Sequence, residues 1–185
     1  MILQKLKEET RSHHEEVEGA VDVMNRMFTL GDYRRLIDRF RSFYSAYEPR
    51  LPIDELAAAG FDYGSRRKLP SLERDAAALG LNGPEEEFDA VPQLDTLAKA
   101  FGSLYVIEGS TLGGQVISRH LRQHLELTPE NGAAFFSSYG PEVGPMWKRF
   151  GEAITAFAEG GNHDDEIVGA AIETFESVRA CVGKR

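Results

Sequence analysis

Apolar residues along this chain recur at intervals of three and four, the spacing that lines one side of an α-helix, and no segment sustains the period of two expected of a strand. The pattern predicts an all-α fold with no sheet. A first helix is expected from about Ile2 to Glu18, with Leu3, Leu6, Thr10, His13 or His14, and Val17 on its inward stripe, and with Gly19 bending or ending it. Thr29 has the character of an N-cap. Tyr33, Leu36, Ile37, Phe40, Phe43, Tyr44, Tyr47 and Leu51 follow it at helical spacing as far as Pro52. Between Pro52 and Pro92, apolar runs at Ile53 to Ala59 and Leu72 to Leu79 are separated by Gly, Pro and acidic residues, which predicts short helices and loops. A long helix is expected from about Leu94 to Leu125, a short one near Ala133, another from about Met146 to Ala158, and a last from Asp165 to Val182. No internal repeat, low-complexity tract or linker divides the chain, so residues 1–185 read as a single domain.

Composition narrows the function classes. A chain of 185 residues is long enough to bury about two-thirds of its unfolded surface, so it folds without disulfides or a structural metal. The single cysteine, Cys181, has no internal partner, and the N-terminus lacks the pattern of a secretory signal. Both features point to the reducing cytoplasm. No apolar run approaches the roughly 18 residues of a membrane span. The formal net charge of -9 opposes nucleic-acid binding unless a local basic patch overrides it. Arg34, Arg35, Arg39 and Arg41 come closest to such a patch, but they alternate with apolar residues and read as the solvated face of one amphipathic helix.

The segment from Phe101 to Leu125, FGSLYVIEGSTLGGQVISRHLRQHL, places Gly102, Gly109, Gly113 and Gly114 inside an otherwise periodic helix. Each costs about 1 kcal/mol relative to alanine, so the helix forgoes on the order of 4 kcal/mol of local stability. Positions 102, 109 and 113 share one face and leave it bare, which lets another body approach the backbone. Close packing of a second helix would use such a face. A planar ligand above a bend at Gly113 and Gly114 would use it equally.

His13 and His14 sit on or beside the apolar stripe of the first helix, where a histidine serves either as a core hydrogen-bonding group or as a metal ligand. Lys7 and Arg11, seven and three residues before His14, share its face and suit a ligand that carries both a metal and carboxylates. Glu18, four residues after His14, is spaced to accept its second ring N–H. His120 and His124 are also spaced for a metal, yet no third ligand accompanies them, and with Arg119 and Arg122 they complement the negative end of the helix dipole. His163 reads as part of a helix start and Cys181 as a buried helix residue. No G-x-S-x-G turn or phosphate-binding glycine loop is present.

Two stretches resemble the haem oxygenase family, in the biliverdin-producing bacterial form often paired with bacterial phytochromes. LKEETRSHH, Leu6 to His14, resembles the proximal-helix motif, and YVIEGSTLGGQV, Tyr105 to Val116, resembles the distal helix. The resemblance implies a multi-helical bundle with haem between a proximal and a kinked distal helix. It makes His14 the axial iron ligand and places Gly109 and Gly113 on the distal haem face. Lys7, Arg11, Tyr105 and Arg179 would then meet the propionates. Ser110 stands where the animal branch has an aspartate that orders water. The implied reaction uses molecular oxygen and electrons from an external reductase or ferredoxin to convert haem, substrate and cofactor at once, to biliverdin, carbon monoxide and ferrous iron. A bacterial phytochrome is an implied recipient of the biliverdin.

Overall fold

The helix boundaries follow local chemistry. In the computed structural model, which describes residues 1–25, 28–82 and 87–183, the expected first helix is two: α1, Ile2–Glu9, and α2, Arg11–Val21. The break is at Thr10, whose hydroxyl donates to the Leu6 carbonyl at 2.7 Å while its backbone departs from helical values at φ -104°, ψ 4°. Gly19 does not end α2; the stop comes at Asp22, in the left-handed region at φ 43°. Thr29 caps α3, Leu30–Tyr47, in a capping box with Asp32, as its sequence position predicts. That helix ends before Leu51 because Pro49 has no N–H to continue the ladder, and the turn Glu48–Arg50 is 3-10 instead.

The middle of the chain holds α4, Ile53–Ala58, and α5, Leu69–Ala78. The long helix α6 spans Leu97–His124 and starts three residues later than expected, since Thr96 accepts from the Lys99 N–H at 3.1 Å and sets the cap. After the short α7, Ala134–Ser137, helix α8 spans Val143–Glu159, earlier than its hydrophobic pattern predicts because Gly144 and Pro145 fit a first turn that needs no donors. Helix α9, Asp164–Val182, closes the fold, with His163 at its start. No strand occurs among the described residues, in keeping with the helical periodicity. The last two positions of the expected 1–185 domain, residues 184–185, lie outside them.

Helix α9 is the centre of the packing. α6 lies along it, α2 and α3 pack on its other sides, and α1 reaches both α8 and α9. One continuous core of buried Leu, Ile, Val, Phe and Tyr residues joins these helices. A buried polar chain pins the centre: Tyr47 Oη and Ser103 Oγ are 2.8 Å apart, and Thr174 donates to Ser103 at 2.9 Å. No helix among the described residues is long and apolar enough to cross a membrane.

The arginines of α3 form a solvated face only in part: Arg34 and Arg35 are exposed, whereas Arg39 is partly and Arg41 fully buried. Arg41 is 3% exposed and donates to Asp38 at 2.7 Å. Arg34 donates to the Leu79 carbonyl at 2.8 Å and Arg39 to the Val182 carbonyl at 2.9 Å. Helix α3 is packed between α5 and α9, and its guanidiniums satisfy carbonyls that those helix ends leave without intrahelical donors.

Candidate functional site

The glycines of α6 divide by environment. A Cβ at Gly102 would collide with the Ile167 carbonyl oxygen of α9, and one at Gly114 would stand 2.7 Å from the Phe136 carbonyl oxygen of α7. Those two permit close helix packing. A Cβ at Gly109 would make ordinary contact with the Trp147 ring, at 3.6 Å, and one at Gly113 would meet nothing within 4 Å. These two leave space. The helical run is unbroken through Gly113 and Gly114, so the bare face is made by missing side chains and not by interruption of the helix. Leu112 and Val116, 42% and 54% exposed, continue this open face as an apolar surface.

Helix α2 presents His14. Its ring stands edge-on to Phe175 of α9, 5.9 Å between centroids, and its side chain is 55% exposed. Glu18 Oε1 lies 3.8 Å from His14 Nε2, beyond hydrogen-bond reach, so the expected second-ring contact is not formed. His13 differs: its Nδ1 is enclosed and without a hydrogen-bond partner. The two histidines that periodicity leaves equivalent are thus separated by exposure, and His14 is the one with an open ring.

Lys7 and Arg11 are exposed and belong to no ion pair among the described residues. Tyr105, half-buried on α6, reaches across to the Thr10 side chain and packs against Trp147 at 5.8 Å between centroids. Burial raises its pKa, and the Thr10 hydrogen bond opposes the rise. Tyr105 therefore ties the distal helix to the junction of α1 and α2, with Lys7 about one turn before Thr10 and Arg11 directly after it. Arg179 lies on α9 with a half-exposed side chain. It pairs with Glu16 at 3.0 Å, and Glu16 lies about 200° around α2 from His14, on the face turned away from the imidazole. Ser110 is exposed, and its hydroxyl donates to the Ile107 carbonyl at 2.8 Å, satisfied by its own helix.

Sequence periodicity missed a buried charged cluster directly behind this wall. Glu108, fully buried and adjacent to Gly109, accepts from Arg66 at 2.5 Å, Lys68 at 3.2 Å and the Tyr139 hydroxyl at 2.8 Å. Lys68 also donates to the Tyr139 hydroxyl. Arg66 reaches the Met146 carbonyl at 3.2 Å, beside Trp147. Glu48 completes the cluster, accepting from the Lys68 N–H at 2.6 Å and from the Tyr63 hydroxyl at 3.1 Å. Desolvation lowers the pKa of Lys68 while Glu108 opposes the shift, and burial raises that of Tyr139. Arg67, at the edge of the cluster, also donates to Glu48 at 3.1 Å, so both buried carboxylates are paired with cations and multiply hydrogen-bonded, the condition under which buried ions are tolerated. Their effect is to fix the depth and rotation of α6 at Gly109. A glutamate inside the distal motif was the one available signal.

The haem oxygenase family model matches residues 1–183. The chain belongs to the haem oxygenase family. A haem oxygenase from Xanthomonas campestris pv. campestris (strain 8004) is 28% identical over 157 residues, covering 81% of this chain and 88% of that protein. The NO- and CO-bound haem oxygenase of Neisseria meningitidis has the same fold, with a TM-score of 0.84 at 23% identity over 100% of this chain and 94% of that one. The haem oxygenase of Leptospira interrogans superposes with a TM-score of 0.79 at 15% identity, over 98% of each chain. The all-helical haem oxygenase fold expected from the two motifs is therefore the fold this chain adopts, and as a family member it is an enzyme of haem degradation.

Proposed function

We propose that the chain binds haem between α2 and α6 and cleaves it to biliverdin, carbon monoxide and ferrous iron, with His14 as the axial ligand. The observation that carries the reading is the open distal wall: Gly113 has nothing within 4 Å of a would-be Cβ, and the exposed His14 ring stands free on the proximal helix. An imidazole without a close hydrogen-bond partner has a nitrogen available to iron, and the exposed Leu112 and Val116 offer the apolar surface that a porphyrin buries. Bound haem supplies the iron at which molecular oxygen is activated, with electrons from an external reductase or ferredoxin.

The residues of the chain have three tasks. Lys7 and Arg11, without an ion pair among the described residues, hold the two propionates and offset the repulsion of a protein with a net charge of -9 toward a dianionic ligand. Tyr105 positions that edge through Thr10 and offers its hydroxyl to a propionate. Gly109 and Gly113, lacking side chains, let the α6 backbone approach the haem face closely while leaving room for a diatomic and water, with Ser110 beside them and Trp147 in contact range of Gly109. Arg179 is better assigned to its pairing with Glu16 than to a propionate. The same reading places the enzyme in the cytoplasm, consistent with a lone buried Cys181. A bacterial phytochrome is the proposed recipient of the biliverdin.

A haem carrier would need the same axial ligand and cationic rim, so turnover is the test. Reconstituted protein is given reductant and oxygen while the Soret band is followed. Loss of the band with a green product is expected; an intact Soret band in reduced, oxygenated protein would leave a carrier and overturn the enzyme.

A further inference from the structure

His120 and His124 lie near the C-terminal end of α6, beyond the glycine wall, and their rings are 4.2 Å apart between centroids at an interplanar angle of 39°. Neither imidazole has a hydrogen-bond or ion-pair partner among the described residues; each has only the other. His124 is exposed and His120 partly so. We propose that the pair is a two-point chelate for a borderline divalent transition ion of the zinc, nickel and copper class, separate from the haem site.

The chemistry follows from spacing. Imidazoles four residues apart on a helix share a face and project alongside one another, and ring nitrogens on rings this close can reach one ion at bonds of about 2.0–2.1 Å. Imidazole is a preferred ligand for zinc, nickel and copper, whereas calcium and magnesium demand oxygen. No cluster of three or more potential ligands exists among the described residues, so water fills the remaining positions and the ion exchanges freely. This is not a closed structural site.

The nearby cations do not close the site off. Arg122 lies about 200° around the helix from His120, pointing to the other side, and Glu130 lies within electrostatic range of it. Arg119 is about 100° away. His120 lies seven residues beyond Gly113, two turns along the same helix face and roughly 10 Å further along the axis, so the pair sits past the glycine wall toward the end of α6.

The test needs no haem. Calorimetric titration of the whole apoprotein with Ni2+ at pH 7.5 is compared with His120→Ala, His124→Ala and His163→Ala, each checked by circular dichroism. A chelate predicts one site whose affinity falls at least tenfold in either of the first two variants, equally in both, and is unchanged in His163→Ala. It also predicts that Ni2+ raises the Tm of the parent but not of those two variants, because the ion bridges successive turns. Unchanged binding in both variants, or loss in only one, would overturn the chelate. So would competition by added haem, which would place the ion at His14.

Discussion

Substituting Gly113 by alanine separates the stability of α6 from its function. A Cβ there meets nothing within 4 Å, so the new methyl strains no packing in the ligand-free protein. Replacing an interior helical glycine should then stabilise the apoprotein by about 1 kcal/mol, which for a chain of this size raises Tm by roughly 2–4 °C. With haem bound, the same methyl projects into the space of the distal face. Overpacking costs about 1–3 kcal/mol, equivalent to haem affinity weaker by roughly fivefold to 150-fold. The assay is paired: apoprotein melting by circular dichroism, and haem titration at the Soret band. Higher Tm with weaker haem binding is expected. A variant that melts higher yet binds haem as the parent does, with unchanged affinity for carbon monoxide, would refute the assignment of Gly113 to the distal wall.

His14→Ala should abolish the parent Soret spectrum on haem titration while leaving apoprotein Tm nearly unchanged, since the ring is half exposed; His13→Ala should keep that spectrum. Gly102→Ala should lower Tm markedly, by the opposite sign to Gly113→Ala, because its Cβ meets the Ile167 backbone carbonyl, which cannot swing aside. Glu108→Ala leaves Arg66 and Lys68 buried without their carboxylate and should cost about 3–5 kcal/mol in urea unfolding; a loss under 1 kcal/mol would show that the cluster does not hold α6. Burial raises the pKa values of Tyr33, Tyr44, Tyr47, Tyr63 and Tyr139 above their usual 10. Their contribution is complete below pH 10 and is lost above it, where the unfolded phenols ionise first, at up to about 1.4 kcal/mol per pH unit for each. Lys68, with its pKa lowered, opposes this over a window just below 10.5, but it is one group against these five phenols and the half-buried Tyr105. Unfolding should therefore set in steeply above pH 10, and stability that is flat from pH 9 to 11 would contradict the burial of these phenols.

Sequence alone determined the helical class, most helix positions and the two motifs that carry the family. Period and capping are local properties, and Thr29 with Asp32 or Thr96 before α6 needs no distant partner to be recognised. Sequence could also state that the bare glycines must face something, because four of them cost a helix more than it gains by itself.

Only the tertiary structure decided what each glycine faces. Gly102 and Gly113 share a helix face and are indistinguishable by spacing, but α9 lies against the first and open space against the second. The same holds for charge. Arg41 and Arg35 look alike in an amphipathic pattern, yet one is enclosed by α5 and the other is exposed. Glu108, Arg66 and Lys68 are far apart in sequence, and nothing local requires a buried carboxylate to meet two cations from a loop forty residues earlier. Arg179 shows the same dependence: nothing in its local sequence names Glu16, yet the packing of α9 against α2 brings the two within 3.0 Å. Periodicity fixes which side of a helix is inward; which neighbour occupies that side depends on how the helices dock, and docking is a property of the whole chain.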